Sequence, residues 1–275
     1  MNNQDTYIGK RSALVEREYK PRKRGLNYIR APKVLGQYYI DYVMCYGHLT
    51  DIIKIGTHQL THIPEEEVKR VIKLSHENNI IVAVGNPIMD EALRAGTKST
   101  KEIIEYLSKI EVDVLEISVI ARSIDDDDLA DLIHFVNDKG IKPLVECGLS
   151  FAHSPVIDKR TFAKRKKVQA KRALDNGAWK ILIEAEGIFE NVASGEERYD
   201  FVDDFASDIP VNNLIFEGDD QDALSYYIDA YGPKANIFVD YQRIMQLEAS
   251  RRGYGPNTST WSKAVSYTHL RAHET

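Results

Sequence analysis

Short runs of Val, Ile and Leu alternate along this chain with longer stretches in which apolar residues recur every three or four positions. "GLNYI", "DIIKIG", "NIIVAVGN", "VDVLEIS", "IKPLVECG", "AWKILIEAE", "VNNLIFEG" and "ANIFVDY" are eight such runs, each short and apolar enough for a buried parallel strand. The segments between them read as helices. "IPEEEVKRVIKLSHEN" sets Val68, Val71, Ile72 and Leu74 on one stripe behind Pro64 and three acids, as a helix N-terminus favours. In "STKEIIEYLSKI" the spacing of Ser99 and Glu102 predicts a capping box, and Gly140 and Gly177 are placed to end two other helices. Eight β/α units predict an α/β protein with a single (β/α)8 TIM barrel over residues 21–262, its strands closing on themselves and its helices covering the outside. An open doubly wound sheet shares this grammar but normally carries a glycine-rich phosphate turn after its first strand. The chain has neither GxGxxG nor GxxxxGK[ST].

Residues 1–20 are polar and weakly periodic, and are expected to form an extension that lies across the barrel or stays mobile. Residues 263–275 resume no β/α pattern and resemble an adaptor-derived peptide, so they are set aside, and the i, i+4 pair His269 and His273 carries no weight.

Composition narrows the function classes. With 275 residues, 43% hydrophobic, the chain can bury a large core. No run approaches the roughly 18 apolar residues of a membrane span, and the polar start lacks a signal peptide's apolar stretch, which predicts a cytoplasmic protein with no membrane partner. A formal net charge of -6 gives no support for nucleic-acid binding, and the basic run "DKRTFAKRKKVQAKR" reads as a solvated helix face. Cys45 and Cys147 lie in apolar segments without metal-ligand spacing and are expected to be buried free thiols. The expected partner is a small anionic molecule; assembly into a homo-oligomer is left open.

Candidate chemistry sits where the strands end. Glu116, Glu146, Glu184, Glu217 and Asp240 close the last five apolar runs, and in a barrel all those ends converge on one mouth. Alternation puts Val114 with Glu116, Leu144 with Glu146, Leu182 with Glu184 and Ile215 with Glu217 on one face. A lone acid at a strand end is ordinarily solvated or ion-paired. If this face points inward, several carboxylates share a confined space, and a hard cation such as Mg²⁺ is the economical way to neutralise them. Glu184, Glu217 and Asp240 are the expected metal ligands, with Lys54, Glu116 and Glu146 as catalytic groups. Asn86, Arg122 and Arg243 are candidates to bind the substrate, the arginines as bidentate donors to an anion. Glu91 follows the third strand and is a weaker candidate. His58 and His62 have i, i+4 spacing but no HExxH pattern. Asp219 and Asp220 would repel phosphate and read as caps of the following helix.

"KPRKRGLN", "DIIKIG", "VLEIS", "LVECG", "GAWKILIEA", "NLIFEG" and "LEASRRGYGPNTS" resemble, in order and spacing, the motifs of the phosphosulfolactate synthase family, from about Lys20 to Thr258. The resemblance implies a (β/α)8 barrel and a lyase-type synthase of coenzyme M biosynthesis that adds sulfite to phosphoenolpyruvate with Mg²⁺. It carries over Lys54, Glu116, Glu146, Glu184 and Glu217. It also shows departures. The family's EISDG is "EISVI" here, with Val119 and Ile120; EVGKK is "ECGLS", with Leu149 and Ser150 and no lysine; EARESG is "EAEGIF", with Glu186 in place of arginine. Three functions follow as alternatives: a Mg²⁺-dependent lyase with an enolate-forming substrate, a non-catalytic binding or stress-related barrel, and Schiff-base aldolase chemistry at Lys54. The last requires a lowered lysine pKa beside several acids.

Overall fold

A computed structural model describes residues 17–118, 124–149, 159–190, 192 and 195–255. The elements follow in the order β1 (Asn27–Arg30), α1 (Gln37–Tyr46), β2 (Ile52–Ile55), α2 (Thr57–His62), α3 (Glu65–Glu77), β3 (Ile81–Val84), α4 (Pro87–Ala95), α5 (Thr97–Lys109), β4 (Val114–Ser118), α6 (Asp126–Asp138), β5 (Lys142–Cys147), α7 (Lys159–Asp175), β6 (Lys180–Ile183), α8 (Tyr199–Asp208), β7 (Leu214–Glu217), α9 (Gln221–Tyr231), β8 (Asn236–Asp240) and α10 (Ile244–Arg251). All eight strands pair in parallel, and β1 against β8 closes the barrel. Each of the eight expected runs supplies one strand.

Two apolar layers follow from the period-two alternation. Ile29, Ile53, Val82, Leu115, Val145 and Ile181 point outward into the layer beneath the helices. Tyr28, Ile52, Val114, Leu144, Leu182 and Phe238 fill the barrel itself. Because Val114, Leu144, Leu182 and Ile215 face inward, the residues two places on along their strands face the mouth, which settles the direction that sequence alone left open.

Local rules account for some helix ends and fail at another. Gly140 (φ +78°) and Gly177 (φ +94°) take up the left-handed conformations that follow α6 and α7. The capping box at Ser99 and Glu102 is absent: Gly96, at φ +101°, starts α5 at Thr97, so Ser99 lies inside the first turn and Glu102 pairs with Lys98 at 3.7 Å. Asp220 does cap α9, accepting from the backbone N–H groups of Asp222 (2.7 Å) and Ala223 (3.1 Å). Asp220→Ala is therefore expected to cost about 1 kcal/mol in urea unfolding; an unchanged midpoint and slope would remove the cap assignment.

The bottom of the barrel holds a polar network for which no sequence signal was read. Arg251, fully buried on α10, donates to Asn27 Oδ1 (2.9 Å) and to the carbonyls of Pro233, Ala235 and Leu26. Arg17 bonds Glu248 Oε1 at 3.0 Å, Arg22 bonds Asp51 at 3.0 Å, and Lys20 donates to the carbonyls of Gly47, Thr50 and Asn78. Residues 17–20 of the expected extension are thus stitched to the barrel floor, while residues 1–16 and the 263–275 tail lie outside the described residues. Of the cysteines, Cys147 is buried but Cys45 is exposed on α1, contrary to expectation; both are free. Among the described residues no helix is long and apolar enough to cross a membrane.

Candidate active site

The barrel mouth contains two hydrogen-bonded groups of charge above a common aromatic floor. Tyr28 and Phe238, one residue pair below the strand ends, pack with ring centroids 4.5 Å apart. Over the Phe238 face lie two cations, Lys54 Nζ at 4.4 Å and Arg30 Cζ at 4.9 Å from the centroid. Arg30 is the register neighbour of Lys54 on one side and of Asp240 on the other, so the β1–β2 pairing sets the two cations side by side and closure against β8 brings Asp240 to Arg30.

The first group is built on Glu116, which has no exposed surface. Its carboxylate accepts from Lys54 Nζ at 3.0 and 2.9 Å, from the Tyr28 hydroxyl at 2.6 Å and from the Asn86 backbone N–H at 3.2 Å. Gly85 lies against it: a Cβ there would stand 3.5 Å from Glu116 Oε2 and from Lys54 Cδ. The Asn86 side chain then donates to Glu146 Oε2, joining Lys54, Glu116, Asn86 and Glu146 in one chain of contacts. Burial and the carboxylates of Glu116 and Glu184 push the Glu146 carboxyl well above the usual range, with Lys54 only partly opposing. Glu146 is therefore a buried carboxyl whose protonated form is favoured relative to an ordinary glutamate. Burial alone would lower the Lys54 ammonium, but Glu116, Glu146 and Glu217 outweigh it and the net shift is upward, the opposite of what a Schiff-base lysine needs.

The second group is built on Arg30, which sequence reading passed over. It pairs with Glu217 (2.8 Å) and Asp219 (2.6 Å) and lies 3.8 Å from Asp240. Asp219 is thus an ion-pair partner rather than a cap; it also accepts from the Asp240 backbone N–H. Glu217 takes a further hydrogen bond from Ala185 N–H at 3.1 Å, and Asp240 accepts from Gln242 N–H at the start of a short 3-10 turn. Burial raises the Glu217 carboxyl despite the opposing pull of Lys54 and Arg30.

The expected metal triad is not drawn together. Glu217 and Asp240 face Arg30, Glu184 lies half-buried beyond β6 near Glu146, and among the described residues no three His, Cys, Asp or Glu side chains form a metal-ligating group. The carboxylates at this corner do not fit a divalent ion, because a guanidinium already satisfies them. Other candidates make contacts outside these two groups or lie outside the described residues. Arg243 donates to Gln246 Oε1 at 3.2 Å, Glu91 pairs with Arg94 on the outer face of α4, and Arg122 lies outside the described residues. His58 folds back over Gly56, where a Cβ would meet its ring at 2.6 Å, and His62 is exposed.

Residues 15–256 match the profile of the (2R)-phospho-3-sulfolactate synthase (ComA) family. The chain belongs to that family. Among curated proteins it is 23% identical over 256 residues to Protein HEAT-STRESS-ASSOCIATED 32 of Arabidopsis thaliana, covering 86% of this chain and 88% of the relative. Solved structures share the fold: 3-hexulose-6-phosphate synthase from Salmonella typhimurium (TM-score 0.55, 12% identity, 82% of this chain and 99% of that one) and the YdjI aldolase of Escherichia coli K12 (TM-score 0.53, 13% identity, 83% and 80%). Of the departures from the phosphosulfolactate synthase pattern, two are described. Leu149 is buried, and Glu186 follows β6 as the bridge partner of Glu190. Val119, Ile120 and Ser150 lie outside the described residues.

Proposed function

We propose that this protein is a phosphosulfolactate synthase-like lyase, acting in the cytoplasm on a small anionic substrate and adding sulfite, or a related nucleophile, to phosphoenolpyruvate or a similar enolate-forming carboxylate. The observation that carries the reading is a buried Glu146 in hydrogen-bond contact with Asn86, its carboxyl pushed upward by burial and by Glu116 and Glu184, beside the fixed Lys54–Glu116 pair. Family membership implies Mg²⁺. Glu184, Glu217 and Asp240 do not form a set that fits it among the described residues, and the chain's own groups can meet the charge and supply the proton.

Sulfite sulfur forms a C–S bond to the methylene carbon, and the π pair of the C=C bond moves toward the substrate carboxylate. Lys54, held positive by Glu116, meets that growing charge. The Glu146 proton then passes to the adjacent carbon, and water returns a proton to Glu146. Arg122 and Arg243, on the segments after β4 and β8, are the candidates to receive the phosphate or sulfonate end.

The test is sulfite consumption with phosphoenolpyruvate, with and without Mg²⁺, together with isolation of the sulfonated product. Turnover that Glu146→Gln abolishes supports the reading. A second reading rests on Leu149 and Glu186, which stand where the family has a lysine and an arginine, and on the name of the stress-associated relative: the barrel binds a ligand without turning it over. Saturable phosphoenolpyruvate binding by calorimetry with no sulfite consumption under any metal condition would favour that second reading.

A further inference from the structure

The corner of the mouth where β7, β8 and β1 meet carries more charge than either reading uses. Glu217 ends β7, Asp219 lies two residues beyond it, and Asp240 ends β8; all three turn toward one side chain, Arg30, from the end of β1. The guanidinium uses separate nitrogens for separate partners, NH2 for Glu217 and NH1 for Asp219, and its Cζ rests over the Phe238 ring. Three carboxylates gathered on one guanidinium carry negative charge that a hard divalent ion could otherwise neutralise, although with Arg30 in place their oxygens form no metal-ligating group among the described residues. Here the neutralising group is part of the chain, cannot be deprotonated in a protein, and sits on an aromatic face that suits its planar shape.

We infer that Arg30 is a built-in replacement for a divalent cation at this corner, so that Glu217, Asp219 and Asp240 are barred from metal binding in the native chain and become a metal site only when Arg30 is removed. A divalent ion entering beside the guanidinium would meet like-charge repulsion in a partly buried setting, and displacing the arginine would break two short ion pairs. Removing the arginine leaves three carboxylates without their counter-ion, and an incoming cation relieves that repulsion. The inference concerns binding alone and stands whether or not the proposed reaction is correct.

Mn²⁺ is the probe, followed by electron paramagnetic resonance and calorimetry on the full-length chain. The native protein is expected to show no saturable Mn²⁺ site that responds to Glu217→Gln or Asp240→Asn. Arg30→Ala is expected to gain one, at least about tenfold tighter than any binding by the native chain, and the added Glu217→Gln change should remove it. Arg30→Gln keeps more of the side-chain bulk and serves the same purpose if the alanine variant does not fold. Mn²⁺ binding by the native chain that Glu217→Gln or Asp240→Asn abolishes would overturn the inference. So would a folded Arg30 variant that binds no Mn²⁺.

Discussion

Replacing Lys54 by methionine is expected to destabilise the protein by about 3–5 kcal/mol and to abolish any turnover at the mouth. Methionine matches the apolar stem that passes Gly85 and the Phe238 ring, so the loss is mainly one of charge. What remains is a carboxylate with no exposed surface, facing the Tyr28 hydroxyl and the Asn86 N–H but deprived of the only cation that bonds it among the described residues. Tyr28 and Asn86 can each donate one hydrogen bond; neither can balance a charge. In the double variant Lys54→Met, Glu116→Gln the uncompensated charge is gone, and most of the stability should return. Urea unfolding of the four proteins in the cycle gives the coupling directly. Additive losses, or a single-variant loss under about 1 kcal/mol, would mean that water rather than Lys54 neutralises Glu116. Lys54→Arg is not a conservative alternative, since a planar fork cannot occupy the space of an ammonium held between Glu116 and the Phe238 ring.

The strands were legible because burial on both faces leaves continuous apolar runs, and a polar residue at the end of such a run marks where the buried environment stops. The same alternation that places Glu116 two residues after Val114 places Arg30 two residues after Tyr28, so the signal for Arg30 was present. It was masked because "YIRAPK" runs from the arginine into Ala-Pro and a second cation, Lys33, where an arginine reads as ordinary loop charge. Asp219 was misplaced for a related reason: "EGDDQD" offers adjacent acids, and only three-dimensional position decides that Asp220 caps α9 while Asp219 reaches Arg30. The floor network was beyond sequence reasoning, since Arg251 meets Asn27 and Arg17 meets Glu248 across more than two hundred residues. Nothing local marks such a pair. The capping box failed because Gly96 reaches a backbone conformation that other residues avoid, and so starts the helix before Ser99 can cap it.

Glu146→Gln is expected to lower turnover by about 10²–10⁴-fold while leaving the fold at least as stable as the parent at neutral pH. The amide oxygen of glutamine can accept the Asn86 hydrogen bond as the carboxyl does, so geometry is kept and the transferable proton is lost. Stability should report the same proton. In the unfolded chain this glutamate ionises at its ordinary pKa, whereas in the folded chain burial and then Glu116 and Glu184 keep it protonated to higher pH. Between those two values the folded state binds more protons than the unfolded one, so the parent loses stability as pH rises through the window and levels off above it. Glutamine binds no proton in either state, and the stability gap between variant and parent should therefore open in favour of the variant over the same window. The parent's rate should fall as pH rises through the folded value, because the acid form disappears. Urea midpoints of both proteins across acid to mildly alkaline pH, set beside the parent's pH–rate profile, test both halves. A glutamine variant that turns over like the parent removes Glu146 as the proton donor; one whose stability tracks the parent's at every pH shows that Glu146 ionises in the folded chain at its ordinary pKa.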